Sequence, residues 1–324
     1  MNEPVHHYCV RLRPILANAV GQTLREIFRD LPGNPGDAIR DSFLGGKLIR
    51  ASLVCLVNES LGGSLEQALP RAVAVELIHG ATLLHDDFVD QDRTRRNQPA
   101  AWTLAGARKA VLLGDVIFAS AIEMMSELSR ADGIAVSRAI ARISRGALKE
   151  PVDPSELAGY LIPGAATERL YDAIIDLKTG VLFGVACELG AISARANDPM
   201  RNAFYRYGRL IGQAYQIADD VKEIRQYIVS GTVNSQKIAA LTPPLLRFNG
   251  DLRPGITAVL AGELCVLQGN LLQGFAKVAE SMEEEMRSRL TAASTLVSEC
   301  LSNVVHADMI QQAPHDLIEM FNRT

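Results

Sequence analysis

Apolar residues return every three or four positions through four long runs of this chain: RAVAVELIHGATLLHDD, ARKAVLLGDVIFASAIEMMSEL, ERLYDAIIDLKTGVLFGVACELGAIS and NAFYRYGRLIGQAYQIADDVKEI. That spacing matches the 3.6-residue period of a helix, and few alternating β-branched runs separate the four, so an all-α fold is expected. Several runs are apolar most of the way round, as suits a helix in the middle of a large bundle rather than one with a wet face. The 324 residues, 48% of them hydrophobic, can bury a large core, and no shift in composition marks a boundary. The chain therefore reads as a single helical domain over residues 1–324.

Breakers fall where connections are needed: Pro32 to Gly36, Gly62 to Ser64, Asn97 to Pro99, Pro151 to Gly164, Asn197 to Pro199, Gly231 to Gln236 and Gly250 to Gly255. Five cysteines, Cys9, Cys55, Cys187, Cys265 and Cys300, lie far apart in apolar or helical stretches without metal-ligand spacing. They read as free thiols of a reducing compartment. The first residues lack a signal pattern and charges such as Asp115 interrupt the apolar runs, so no transmembrane segment and a cytoplasmic location are expected. A net charge of −4 gives no case for nucleic acid.

Two acidic clusters carry the chemistry. Asp86, Asp87 and Asp90 lie in HDDFVDQDRTRR, and Asp219, Asp220 and Glu223 lie in QIADDVKE. In each cluster the first and last carboxylates are four residues apart, which stacks them on one helix face where like charges repel. A cation relieves that repulsion. Mg²⁺ takes oxygen ligands and is usually held by one or two carboxylates plus phosphate oxygens, so two such pairs would grip a diphosphate from both sides. The bland reading of either cluster alone is a solvated helix end; their repetition behind inward-pointing apolar runs argues for metal.

The companions are cations. In GGKLIR, Gly45 and Gly46 let backbone approach a ligand, and Lys47 and Arg50 share a helix face. Arg95 and Arg96 follow the first cluster, and a guanidinium offers a fork of donors to anionic oxygens. His79 stands two helical turns before Asp86. Lys178 and Thr179 interrupt an apolar helix, where a lysine needs an anionic partner or an open cavity.

With GGKLIR at 45, ELIHGATLLHDDFVDQDRTRR at 76–96, LLGD at 112, LKTG at 177 and YQIADD at 215, the chain resembles the trans-isoprenyl diphosphate synthases of the polyprenyl synthetase family, of the geranylgeranyl or longer-chain type. The resemblance implies an all-α bundle around a central cavity, of the isoprenoid synthase type, usually homodimeric. It implies a prenyltransferase that ionises an allylic diphosphate with Mg²⁺, three ions in all, and lets isopentenyl diphosphate attack the allylic cation. Carried over, Asp86, Asp87, Asp90, Asp219, Asp220 and Glu223 are the metal ligands. Lys47, Arg50, His79 and Arg96 match the isopentenyl diphosphate pocket, and Arg95 the allylic diphosphate. Lys178, Thr179 and Gln216 match residues beside the allylic diphosphate or the developing cation.

This chain departs from the family's pattern after the second cluster. Glu223 stands where aspartate is common, and EIRQYIVSGTVNSQKIAALTPPLL lacks the glycine-flanked lysine, leaving Lys237 before Thr242, Pro243 and Pro244, with Lys222 as the other available cation. Ala81 and Thr82, small residues below Asp86, imply a product of twenty carbons or more, with Phe118, Met124 or Met125 as deeper stoppers. Two other readings use the same features: a class I terpene cyclase, which would need the metal site but not GGKLIR, and a weakly active or regulatory subunit of a prenyl synthase.

Overall fold

The computed structural model describes residues 4–31, 35–95, 98–151, 157, 161, 165–233, 235–262, 266–298 and 306–322. The helices are α1 (Val5–Ile27), α2 (Pro35–Leu44), α3 (Ile49–Ser60), α4 (Leu65–Val89), α5 (Ala101–Ala105), α6 (Ala107–Leu128) and α7 (Arg130–Ala147). There follow α8 (Ala165–Ile174), α9 (Val181–Ser193), α10 (Asp198–Ser230), α11 (Ser235–Phe248), α12 (Arg253–Leu260), α13 (Gly269–Ser298) and α14 (Ala307–Asn322). The all-α expectation holds. Among the described residues extended structure amounts to Thr94–Arg95 paired antiparallel with Gln98–Pro99 and one isolated bridge, Thr232 with Val266. Residues Gly250–Gly255, expected as a loop, instead form a 3₁₀ turn that leads into α12. Pro254 makes this possible, because in the first turn of a helix its missing N–H has no partner to lose.

The chain forms two compact units, neither continuous in sequence: 1–141 with 182–208 and 293–324, and 142–181 with 209–292. In the first, α4 packs on α3 and α6 and on α1. Ser64 and Gln67 close a capping box that starts α4, satisfying two N–H groups that the first helical turn would otherwise leave open. The α4 residues Ala74, Val75, Leu77, Ile78, Ala81 and Leu84 are all buried, and the apolar surface wraps round the helix as its sequence requires.

In the second unit the spacing of Ile217, Val221 and Ile224 puts one face of α10 into a core shared with Ile238, Leu241 and Leu245 of α11 and Phe275 and Met282 of α13. Asp219, Asp220 and Glu223 occupy the remaining faces. Between α8 and α9 the helix widens into a π-turn, Ile175–Gly180, whose extra residue rotates the side chains that follow; such turns concentrate at functional sites. Cys9, Cys55 and Cys187 are buried thiols outside any disulfide; Cys265 and Cys300 lie outside the described residues. No described helix is long and apolar enough to cross a membrane.

Candidate active site

The first acidic cluster occupies the C-terminal end of α4. Asp86 and Asp87 are in its last turn, and Asp90 caps it. The helix stops in a Schellman motif: Asp92 N–H reaches the Asp87 carbonyl at 2.9 Å and Gln91 N–H reaches the Phe88 carbonyl at 3.3 Å. The left-handed position falls to Gln91, φ 57°, where glycine would be free of the penalty of about 1 kcal/mol that a side chain incurs. Three carboxylates here oppose one another and also the negative end of the helix dipole. Like charge at this spacing and the helix dipole both work against the cluster, and a neighbouring cation, side chain or ion, offsets them.

The three acids differ. Asp87 is 3% exposed and takes a hydrogen bond from Arg95 Nε, which sets Arg95, expected at an allylic diphosphate, against the first cluster. Asp86 is half-buried and Asp90 exposed. Arg96 lies outside the described residues. His85 Nε2 lies 3.0 Å from the Val111 carbonyl oxygen, with its ring edge-on to Phe118 at 5.5 Å.

The GGKLIR cations are placed by strain and by a borrowed cap. Leu48, between Lys47 and Ile49, has φ 52°, and α3 begins without a side-chain cap of its own. Glu76, buried in α4, supplies one by accepting the Ala51 N–H at 3.0 Å. Glu76 thus fixes the start of α3 against the helix that carries His79, which is half-buried. The Arg50 guanidinium lies 4.5 Å from the centroid of the Phe183 ring. Lys47 Nζ donates to the Met320 carbonyl near the end of α14 and is 5.8 Å from the centroid of the Phe321 ring.

In the second unit the π-turn and α10 are laced together. Asp176 accepts from Arg209 Nε and from Gln213 Nε2, both at 2.8 Å, and Arg289 Nη1 of α13 donates to Gln213 Oε1 at 2.5 Å. Gly180 permits the close approach, since a methyl there would sit 3.1 Å from Gln213 Cγ. Thr179 Oγ1 then donates to Gln216 Oε1 at 2.6 Å, and Gln216 Nε2 to Asp220 Oδ1 at 3.0 Å. Asp220 Oδ2 accepts from Tyr171 OH at 2.8 Å. Lys178 finds the anionic partner that its apolar setting requires in Glu150.

Withdrawal from water pushes the Asp220 carboxyl up to about 7, against the hydrogen bonds from Gln216 and Tyr171 and with the charges of Asp219 and Glu150 adding to the rise. Asp219 is also raised, by loss of hydration against the opposing charges of Lys222 and Lys178. Tyr227 OH donates to Glu223 Oε1 at 3.4 Å. The Lys237 side chain lies outside those described. Thus Thr179, Gln216 and Asp220 are brought into one hydrogen-bonded chain. Sequence reasoning missed Tyr171 and Glu150. Neither had a local signal: the π-turn intervenes between Tyr171 and Lys178, and 28 residues separate Glu150 from Lys178.

The donors are hard oxygens of the kind Mg²⁺ accepts. Among the described residues no three acidic, histidine or cysteine side chains converge on a preformed ion site. Mg²⁺ is usually completed by phosphate and water oxygens rather than by protein ligands alone. A sequence model of the polyprenyl synthetases matches residues 36–227, more than half of the chain and including both clusters. The chain belongs to the polyprenyl synthetase family. This polyprenyl synthetase is 34% identical over 180 residues to a geranylgeranyl diphosphate synthase of Methanosarcina mazei, covering 56% of this chain and 55% of that one. It is 35% identical over 215 residues to the geranylgeranyl diphosphate synthase of Mycobacterium tuberculosis, covering 64% and 60%. The chain thus matches somewhat more than half the length of these relatives. In fold it is similar along 98% of both chains to a polyprenyl synthase from Caulobacter crescentus solved with calcium and isoprenyl diphosphate, with a TM-score of 0.69 at 24% identity.

Of the residues weighed as chain-length stoppers, Met125 is fully buried, while Met124 lines a groove of about 970 Å³ with Gln22, Thr23 and Glu26 of α1. Ala81 is buried, and the Thr82 hydroxyl is turned back on the His79 carbonyl at 2.7 Å.

Proposed function

We propose that this polyprenyl synthetase is a Mg²⁺-dependent prenyltransferase that joins isopentenyl diphosphate head-to-tail to an allylic diphosphate, as a single functional domain. The observation that carries the reading is the placement of Asp86, Asp87 and Asp90 at a helix end where dipole and mutual repulsion both oppose them, in a chain of this family. Asp86 and Asp90 of the first cluster and Asp219, Asp220 and Glu223 of the second offer carboxylate oxygens, and Asp87 holds Arg95. Bound Mg²⁺, three ions in the full assembly, would supply the Lewis acid that stabilises the departing diphosphate.

The side chains of the protein do the rest. Lys47, Arg50, His79 and Arg96 bind isopentenyl diphosphate, and the Arg95 guanidinium adds positive charge beside the first cluster. Lys178, paired with Glu150, keeps an ammonium next to the π-turn. The Thr179 hydroxyl and the Gln216 amide are assigned to the side of the site where the allylic cation develops. No side-chain nucleophile takes part. Small residues at Ala81 and Thr82 favour a product of twenty carbons or more. A homodimer fits the exposed Leu112, Val116 and Leu128 of α6, and a cytoplasmic location fits buried thiols outside any disulfide.

The test is incubation with Mg²⁺, labelled isopentenyl diphosphate and allylic primers of five, ten, fifteen and twenty carbons, followed by product-length analysis. Primer-dependent elongation is expected. Elongation without primer, or full activity in Asp86→Ala, would sink the proposal. A regulatory-subunit reading draws on one observation: the family match stops at residue 227, where the glycine-flanked lysine is missing. If so, the chain alone would elongate nothing and would raise the turnover of an active synthase added to it.

A further inference from the structure

The hydrogen-bonded chain around Asp220 ends in a residue to which the reaction assigns no task. Thr179 has one hydroxyl hydrogen and gives it to Gln216 Oε1. This turns the Gln216 amide nitrogen toward Asp220 Oδ1, so one side of the carboxylate is set by the π-turn. The other side is set by Tyr171 OH on Oδ2 at 2.8 Å. The tyrosine is held by its burial, 2% exposed, among the core of the second unit, with the Phe248 ring edge-on at 6.1 Å as one contact among these. Two fixed donors, one on each oxygen, define the plane of the Asp220 carboxylate before any ligand arrives.

We propose that Tyr171 is a positioning residue for Asp220, its hydroxyl locking the rotation of the carboxylate so that the remaining lone pairs are presented to a divalent cation on a diphosphate. The inference rests on the reading of Asp220 as a metal ligand. Asp220 without this anchor is held on one oxygen alone, and metal affinity typically falls 10- to 100-fold when such outer partners are lost.

The experiment compares the parental chain with Tyr171→Phe, Asp220→Asn and Phe248→Leu. Mn²⁺ binding in the presence of inorganic pyrophosphate is followed by electron paramagnetic resonance, alongside elongation kinetics and thermal unfolding. Tyr171→Phe keeps the ring and its packing. It is expected to bind Mn²⁺ about tenfold more weakly and to lose kcat by a similar factor, with the KM for isopentenyl diphosphate unchanged. Phe248→Leu, which disturbs the ring contact and spares the hydroxyl, is expected to lower the unfolding midpoint without weakening Mn²⁺ binding. Tyr171→Phe within twofold of the parental affinity, or Phe248→Leu matching its loss, would overturn the role of the hydroxyl while leaving the metal reading intact. A parental chain whose Mn²⁺ affinity equals that of Asp220→Asn would overturn both.

Discussion

Arg95 and Asp87 form an ion pair across the end of α4, the carboxylate 4% and the guanidinium stem 27% exposed. A two-residue strand returns Arg95 to the helix it has just left, with Arg95 opposite Gln98. The pair sets Asp87 apart within the first acidic cluster: its backbone carbonyl takes the Asp92 N–H that closes the turn, and its carboxylate takes the Arg95 guanidinium. Removing the guanidinium takes a charged hydrogen-bond donor from the buried Asp87 carboxylate, at a cost of about 2 kcal/mol. Arg95→Ala is therefore expected to lower stability by that order in urea unfolding. Asp86→Asn, which relieves repulsion at a helix C-terminus, is expected to stay within about 0.5 kcal/mol of the parent or exceed it, yet to abolish elongation.

Mg²⁺ binding is expected to release a proton. The Asp220 carboxyl, ordinarily at 3.8, sits at about 7 in the folded chain. A raised folded value means a contribution to stability that is complete below pH 4 and lost as pH rises through 7. A cation must displace that proton, so apparent affinity should climb from pH 5 to 7 and level off above. Calorimetric titration in two buffers of different ionisation enthalpy at pH 6 measures the release, and an identical heat in both would contradict the prediction.

Alkaline conditions should unfold the protein early. Burial pushes the Cys55 thiol from 9.0 to about 12, and burial also raises Cys187, Tyr8 and Tyr207. Unfolded, the thiols lose their protons near pH 9 while the folded chain keeps them, so stability falls as pH rises past that point. Each thiol contributes a slope of roughly 1 kcal/mol per pH unit. Urea midpoints at pH 8, 9 and 10 give the slope, and Cys55→Ala should make it shallower.

Two glycines mark where helices of the first unit touch backbone to backbone. A methyl at Gly190 would sit 2.6 Å from the Val54 carbonyl oxygen, and one at Gly208 would overlap the carbonyl oxygen of Phe183. Backbone atoms cannot swing aside as a side chain would. Gly208→Ala is expected to cost about 3 kcal/mol, outweighing the gain in helix propensity of about 1 kcal/mol. A rise in the thermal midpoint of this variant would contradict the packing described for α9 and α10.

Much of this was legible in the residues themselves. The three- and four-residue return of apolar side chains required helices, because no other regular structure gathers that pattern onto a continuous surface. The repeated acids pointed to a cation, because like charges at helical spacing repel unless solvent or a counter-charge offsets them. The sequence alone also marked Lys178 as needing an anionic partner or an open cavity, since an ammonium in an apolar run must keep one or the other to remain charged.

What the tertiary structure alone decided is which partner each of these groups found. Glu150 reaches Lys178, Tyr171 reaches Asp220, and Glu76 caps α3, across separations at which sequence spacing carries no geometric information. The π-turn at Ile175–Gly180 is likewise invisible to a periodicity count, because one extra residue in a turn leaves the apolar pattern intact on either side. Even the distinction between Asp86 and Asp87, adjacent and chemically identical, arises only from the fold. The Schellman turn and the strand beyond it bring Arg95 back to one carboxylate and not to the other, and burial makes that difference count.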